Sequence, residues 1–316
     1  MGMTAWPFGD PTVLLAALAL DLVLGDPPNR WHPVAAMGKL IQLLWRIAPT
    51  RGRVQPFLAG LAVVVFGMVL CVGVGVGISF LRQSWPVVGI AAEVLLLKTT
   101  FSVRGLCSAG RQVRSRLKDG DLEAARRLLA WHLVSRDTHA LNESQVAAAT
   151  IESIAENASD SIVAPWLFFL LAGLPGAAAY RFANTADAML GYRDAAREWL
   201  GKCPARFDDL LNLIPARVTA CLLIAATPLA GGSIRQGFRI WRRDARLTVS
   251  PNAGHPMAAA AGSLGIELEK VGHYRLGKGL HLPAAADVGR AIRLVGIVVG
   301  FWAAGMGVWL VVRVVG

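Results

Sequence analysis

Residues 56–81 carry no charged side chain, and Arg82 follows at once. A run of this length exceeds the roughly 20 apolar residues that cross a bilayer as a helix. In hydrocarbon every backbone N–H and C=O must be satisfied internally, which restricts such a stretch to helix. Gly67, Gly73, Gly75 and Gly77 within it leave room for close helix contact. Residues 292–312 form a second clear span. The chain is 54% hydrophobic and 17% charged, with mean hydropathy +0.49; soluble proteins average about 25% charged. The expected fold class is therefore all-α, a polytopic integral membrane helical bundle forming one membrane domain over residues 1–316.

The remaining apolar runs are less regular. Residues 11–25 are short and contain Asp21, and 85–103 contain Glu93 and Lys98. The run 162–179 is interrupted by Pro165 and by Gly173-Leu-Pro175-Gly176, and 208–230 holds Asp208, Asp209, Asn212, Pro215 and Arg217 in its first half. Both read as broken or re-entrant helices, for a total of five or six spans. Non-helical backbone at membrane depth is tolerated only where protein or a watery cavity covers it, and such breaks often mark sites. Residues 104–145 are charged with helical period and predict an exposed helical hairpin, cytoplasmic by its arginines. Asp119-Gly120-Asp121 is its turn, with Asp121 as N-cap. Residues 232–290 read as a motif-rich loop whose basic start, 233–247, lies on the membrane surface.

Net charge is +11, which suits an anionic leaflet or anionic substrates. A nucleic-acid partner is not expected, because the basic residues flank apolar spans and no nucleic-acid motif occurs. Cys71, Cys107, Cys203 and Cys221 have no CxxC spacing and read as unpaired thiols. The N-terminal region lacks the basic start and small-residue cleavage site of a signal peptide.

Chemistry is concentrated in ESIAENASDSIVAPWLFFLLAGLPGAAAYRFANTADAMLGY, residues 152–192. Glu152, Glu156 and Asp160 are spaced four apart, so on a helix they share one face. Acids beside hydrocarbon are expensive and are kept mainly for function. Three carboxylates on one face repel one another, and a cation is their natural partner. Mg²⁺ takes oxygen ligands together with substrate phosphates. Asn157-Ala-Ser-Asp160 recurs in form as Asn184-Thr-Ala-Asp187, either side of the interrupted apolar run. Asp187 thus joins the three acids as a candidate for catalysis and metal ligation.

Other positions are candidates for binding. Asp26 and His32 each precede a proline and are held extended; by structure alone Gly25-Asp26-Pro27-Pro28 is a rigid turn. Asn252 and His255 sit in a similar Ser250-Pro-Asn-Ala-Gly-His-Pro256 segment. Arg136 (with Asp137 beside it) and Arg217 can match carboxylate or phosphate geometry. Lys98 is either a snorkelling lysine or a phosphate contact.

Taken in order, DLVLGDPPNRWHPV (21–34), LLKTTFS (96–102), SRDT (135–138), ESIAENASDSIVAP (152–165), YRFANTADAMLGYR (180–193), IPAR (214–217) and SPNAGHPMAAAAGSLGIELEKVGHYRLG (250–277) resemble the CobD/CbiB family of membrane-bound adenosylcobinamide-phosphate synthases. The resemblance runs from about residue 10 to residue 315, with Ser161 a mild departure where glycine is expected in many relatives. It implies a reaction: a propionate carboxylate of adenosylcobyric acid is joined by an amide bond to (R)-1-amino-2-propanol or its O-phosphate. It also implies ATP and Mg²⁺, a corrinoid substrate, a multi-pass location in the cell (inner) membrane, and association with other late cobalamin-pathway enzymes. Beside it, the residues themselves assign Glu152, Glu156, Asp160 and Asp187 to metal ligation and base function. Asn157 and Asn184 would orient phosphate or amide groups, and Lys98, Arg136 and Arg217 would bind anionic oxygens. Asp26, His32, Asp137, Asn252, His255 and Tyr274 complete the expected substrate pocket. No P-loop pattern is present, so any ATP site is of another kind.

Two other classes fit the residues alone. A Mg-dependent prenyltransferase-like enzyme would use the paired Asn/Asp elements on diphosphate. A cation-coupled transporter would use the acids in broken helices, though the internal symmetry that often accompanies transport is missing.

Overall fold

The computed structural model describes residues 9–49, 51–191 and 197–315. Among these the regular secondary structure is helical apart from one small hairpin and an isolated bridge, Ile266 with His281, and five stretches are long and apolar enough to cross a membrane: Val54–Ser84, Pro86–Lys118, Glu143–Leu190, Leu213–Ala230 and Ala285–Arg313. The all-α membrane class expected from the apolar runs is the class observed. Contacts divide the chain into two compact units, each discontinuous: residues 1–103 with 164–212, and residues 104–163 with 213–316.

The first unit begins with α1 (Pro11–Leu24), started by Asp10, whose carboxylate accepts from Thr12 N, and stopped at Gly25 with φ +71°. α2 (Pro33–Ile47) is capped by a histidine: His32 Nδ1 accepts from Val34 N at 3.2 Å. α3 (Val54–Ser84) is the uncharged span, and α4 (Pro86–Lys98) returns along it. Arg82 at the α3 end pairs with both Asp10 and Glu93. α8 (Ala164–Leu190) and α9 (Lys202–Leu211) complete the unit.

α8 is where the sequence expected a break. Ala172 (φ −143°) and Gly173 (φ +62°, ψ −161°) leave helical geometry. Glycine reaches this positive φ without the steric cost of a Cβ. Within a straight helix Phe168 and Gly176 would be about 12 Å apart along the axis. Instead, the place where a Gly176 side chain would begin abuts the carbonyl of Phe168, and Phe168 stacks on Tyr180 with ring centroids 5.0 Å apart. The chain therefore turns back on itself: α8 is a helical hairpin, with its turn inside the 162–179 run that reads as broken or re-entrant. Its second arm lies antiparallel to α3, with Pro175 against Gly75 and Phe182 against Gly67.

In the second unit α5 (Val103–Lys118) and α6 (Leu122–His132) form the expected hairpin. Asp121 caps Ala124 N at 3.0 Å, and Val113, Ala125 and Leu129 pack with Val146 and Ala149. α7 (Glu143–Ala158) opens with a capping box between Asn142 and Gln145 and runs into a five-residue π-helix, Ser159–Val163. α10 (Leu213–Ala226) and α13 (Ala285–Val315) are the other long apolar helices; the expected interruption of 208–230 falls at Asn212, between α9 and α10.

The expectation of a loop over 232–290 is corrected. The segment contains α11 (Ile234–Asp244), α12 (Gly254–Leu264) and an antiparallel pair, β1 (Leu268–Lys270) with β2 (Tyr274–Leu276). Gly254-His-Pro-Met-Ala-Ala-Ala-Ala-Gly-Ser-Leu264 has no polar face to mark a helix period. Its small side chains instead permit burial on all sides, against Ala245, Gln236 and Ile240. All four cysteines are free, as expected.

Gly176→Val should disrupt the α8 hairpin, because the clash is with backbone that cannot swing away. Overpacking of this kind costs about 1–3 kcal/mol or more, read as a lower unfolding midpoint in detergent. Gly73→Val on α3, where nothing lies within 4 Å of the added carbon, should leave the midpoint nearly unchanged.

Candidate functional site

In the second unit α7 presents Glu152 and Glu156 one turn apart. Glu152 is only 5% exposed, while Glu156 and Asp160 are partly exposed. The π-helix begins at Ser159, so Asp160 leaves the strict α-helical phase of the other two. Wide turns of this kind are frequent at functional sites. Arg136 Nη2 stands 3.5 Å from Glu152 Oε2, and Lys270 of β1 adds a second positive charge nearby. Glu152 Oε1 makes no hydrogen bond among the described residues. A buried carboxylate oxygen without a donor is costly, and a ligand cation or donor is what would satisfy it. Tyr274 of β2 faces the same acids. Burial, then the negative charges of Glu152 and Glu156, hold its phenol well above the ordinary range, so it remains a hydrogen-bond donor.

Asn157 is engaged locally. Its Nδ2 donates to Ser153 O at 2.9 Å, and its Oδ1 accepts from Ser161 Oγ at 3.0 Å. The Ser161 hydroxyl thus ties the end of α7 to the π-turn. Asp137 is likewise a turn residue: Oδ1 accepts from His139 N at 2.9 Å.

A second cluster in this unit joins Arg217 of α10 with the start of α12. Arg217 Nη1 donates to Asn252 Oδ1 at 3.3 Å. Trp241 Nε1 donates to His255 Nδ1 at 2.9 Å, which leaves the proton of the neutral ring on Nε2. Burial, then the charges of Arg217 and Arg246, push His255 down to about 4. A neutral imidazole donor between two guanidiniums is suited to an anionic oxygen.

In the first unit Asp26 is a hub. It accepts from Lys98 Nζ at 2.6 Å and Ser102 Oγ at 2.5 Å, and His32 Nε2 lies 3.7 Å away. Burial would raise its pKa, but the bonds from His32, Lys98 and Ser102 outweigh it and hold the carboxyl well below the usual range. Lys98, 4% exposed, also faces the fully buried Asp21 at 3.6 Å. Its positive charge is therefore matched within the chain, where the sequence suggested a phosphate contact. Asp21 Oδ2 accepts from Val103 N, so the short break after α4 is anchored to α1.

Asn184, on the second arm of α8, donates to Asp208 Oδ1 at 3.1 Å. Asn212 donates to Asp208 Oδ2 at 2.9 Å, and Tyr180 OH donates to Asn212 Oδ1 at 2.9 Å. Burial raises the Asp208 pKa against these two amide bonds. Tyr180, Asp208 and Asn212 were not among the expected site residues. Asp208 and Asn212 looked like interruptions of a span, and the i, i+4 spacing of these two polar residues was the available signal. Asp187 is partly exposed on the same arm as Asn184. The two Asn-x-x-Asp elements fall in different units, 157–160 in the second and 184–187 in the first. Tyr192 and Arg193, at the end of the 180–193 motif, lie outside the described residues.

The profile of the family described as CobD/Cbib protein matches residues 14–295. The chain belongs to the CobD/CbiB family. A protein of Dehalococcoides mccartyi named cobalamin biosynthesis protein CobD is 45% identical over 266 residues, 84% of this chain and 86% of that one. One from Methanothermobacter thermautotrophicus, named probable cobalamin biosynthesis protein CobD, is 43% identical over 84% of this chain and 86% of its own. One from Chromobacterium violaceum, named cobalamin biosynthesis protein CobD, is 40% identical over 91% and 93%. No solved structure matches.

The His255 shift carries a pH dependence. The unfolded ring titrates near about 6.5, so on acidification the unfolded chain takes the proton first. This contribution to stability should be intact above about pH 6.5, decline toward about pH 4 and be flat below. His255→Gln should remove that part of the slope, measured as unfolding midpoint against pH for both proteins.

Proposed function

We propose that the chain is a membrane-embedded amide-forming ligase of cobalamin biosynthesis, acting in the cell membrane. It would join a propionate carboxylate of adenosylcobyric acid to the amine of (R)-1-amino-2-propanol or its O-phosphate. Family membership carries this reading, since the relatives above are named for cobalamin biosynthesis. The pairing of a buried carboxylate with arginine, lysine and a phenol supports it.

A free carboxylate does not acylate an amine at a useful rate. In the proposed sequence its oxygen attacks the γ-phosphorus of ATP and the bond to ADP breaks, leaving an acyl phosphate. The amine then attacks the acyl carbon, the C–O bond to phosphate breaks, inorganic phosphate departs and the nitrogen gives up a proton. The chain must hold phosphate oxygens, place the amine and accept that proton.

Glu152 and Glu156 are the best placed for proton acceptance and cation binding, with Asp160 at the π-turn beside them. No group of three His, Cys, Asp or Glu side chains that could hold a metal occurs among the described residues. Mg²⁺ is compatible with this donor set, because it is commonly bound by one or two carboxylates plus waters and substrate phosphates. Bound there, it would neutralise phosphate charge. Arg136 and the Tyr274 hydroxyl are assigned to the activated carboxyl group. Arg217, Asn252 and His255 are assigned to a phosphate, of the nucleotide or of the phosphorylated amino alcohol. In the first unit Asp26 with His32, Lys98 and Ser102, and Asn184 with Asp208, are engaged with one another and are given no substrate contact in this reading.

Purified protein with adenosylcobyric acid, aminopropanol phosphate, ATP and Mg²⁺ should form the amide product, detected by mass spectrometry, without diphosphate release. Glu156→Gln and Asp160→Asn should each lower turnover, by about 10²–10⁴-fold if the residue moves the proton. Near wild-type rates in both would remove these acids from the mechanism. Arg217→Ala should raise KM for a phosphorylated substrate about tenfold with kcat little changed, the pattern of a lost charged hydrogen bond made equally in ground and transition states.

A further inference from the structure

The first unit encloses a cavity of about 230 Å³ with walls from α2, α3, α4 and α8, including Leu40, Leu70, Val74, Leu96, Leu174 and Phe182. Its lining is nearly all carbon. The two threonine hydroxyls at its edge are turned away to backbone: Thr99 Oγ1 donates to Leu96 O and Thr100 Oγ1 to Leu97 O, each at 2.7 Å. A water inside would find almost no partners. Apolar cavities of about 150 Å³ already stay dry and accept apolar guests, and this one is larger.

The position of the cavity indicates what fills it. Leu70, Cys71 and Val74 sit midway along Val54–Ser84, the most apolar span of the chain, and so at the depth of the hydrocarbon. Leu70 and Val74 line the cavity and are also 48% and 50% exposed, so the mouth opens on the flank of α3 that faces lipid. At that depth the surrounding medium is acyl chain. We infer that this cavity is a binding site for one acyl chain of a bilayer phospholipid, inserted laterally between α2, α3, α4 and α8. The inference does not depend on the proposed reaction.

The full chain in phosphatidylcholine nanodiscs, doped with the same lipid carrying a mid-chain diazirine, provides the test. After illumination and digestion, mass spectrometry should place label on inner-wall residues such as Leu96 and Phe182 as well as on Val69, which faces bulk lipid. Val74→Trp, which fills the mouth, should reduce the inner-wall label about tenfold, equivalent to about 1.4 kcal/mol of lost occupancy, and leave the Val69 label unchanged. Ala36→Leu fills the cavity from the opposite wall and should do the same if Val74→Trp fails to fold. Label confined to Val69 and the outer face in the wild type would overturn the site without any variant. So would inner-wall label that persists in a folded Val74→Trp protein, or a protein–protein crosslink through Leu70 and Val74 in place of lipid label.

Discussion

The contact of Gly176 with the Phe168 carbonyl is the one on which the first unit depends. A chain that reverses within an apolar segment must cover the backbone groups freed at the turn, because hydrocarbon offers them nothing. The reversal at Ala172–Gly173 succeeds because glycine takes the positive φ and because a second glycine lets the two arms meet backbone to backbone. Once the second arm lies along α3, Gly75 admits Pro175 and Gly67 admits Phe182. That register sets where Tyr180, Asn184 and Asp187 stand, and it brings Tyr180 and Asn184 into one network with Asp208 and Asn212.

The second unit handles its buried charge differently. In the first unit Lys98 hydrogen-bonds Asp26 and lies 3.6 Å from Asp21, whose Oδ2 accepts from Val103 N, so positive and negative charge are matched within the chain. Glu152 has Arg136 at 3.5 Å, and its Oε1 makes no hydrogen bond among the described residues. The contrast separates a cluster that holds α1, α4 and the following turn together from one with capacity left for a ligand. The π-turn after α7 adds to it by moving Asp160 off the line of Glu152 and Glu156.

Much of the fold is legible in the sequence. The uncharged run at 56–81, the Gly/Pro interruption at 173–176 and the Asp-Gly-Asp turn at 119–121 each correspond to the predicted element, because each is governed by local chemistry: hydropathy, φ freedom and capping. The helix at 254–264 was hidden, since Ala and Gly on every side give no period and only neighbouring helices reveal what the small side chains are for. For Lys98 the sequence leaves a snorkelling lysine and a phosphate contact open, because its partners, Asp21 and Asp26, lie more than 70 positions away and nothing local shows that its charge is matched. Asp208 and Asn212 looked like faults in a span because nothing local announced Asn184 and Tyr180 as their partners.

From residue types and spacing alone follow the membrane class, the helical content and the place of the break in α8, while long motifs carry the resemblance to the family. These rest on properties that each segment carries by itself: backbone satisfaction in hydrocarbon, glycine's conformational range and long stretches of matched residues. Tertiary structure alone decides which charges are consumed by one another and which are left for ligands. Two carboxylates of equal chemistry, Asp26 and Glu152, differ only in what folding places beside them. Lys98, His32 and Ser102 satisfy the first, while the second has Arg136 and Tyr274 nearby and an Oε1 that makes no hydrogen bond of good geometry among the described residues. That difference is a matter of distances between segments remote in sequence, which no local pattern encodes.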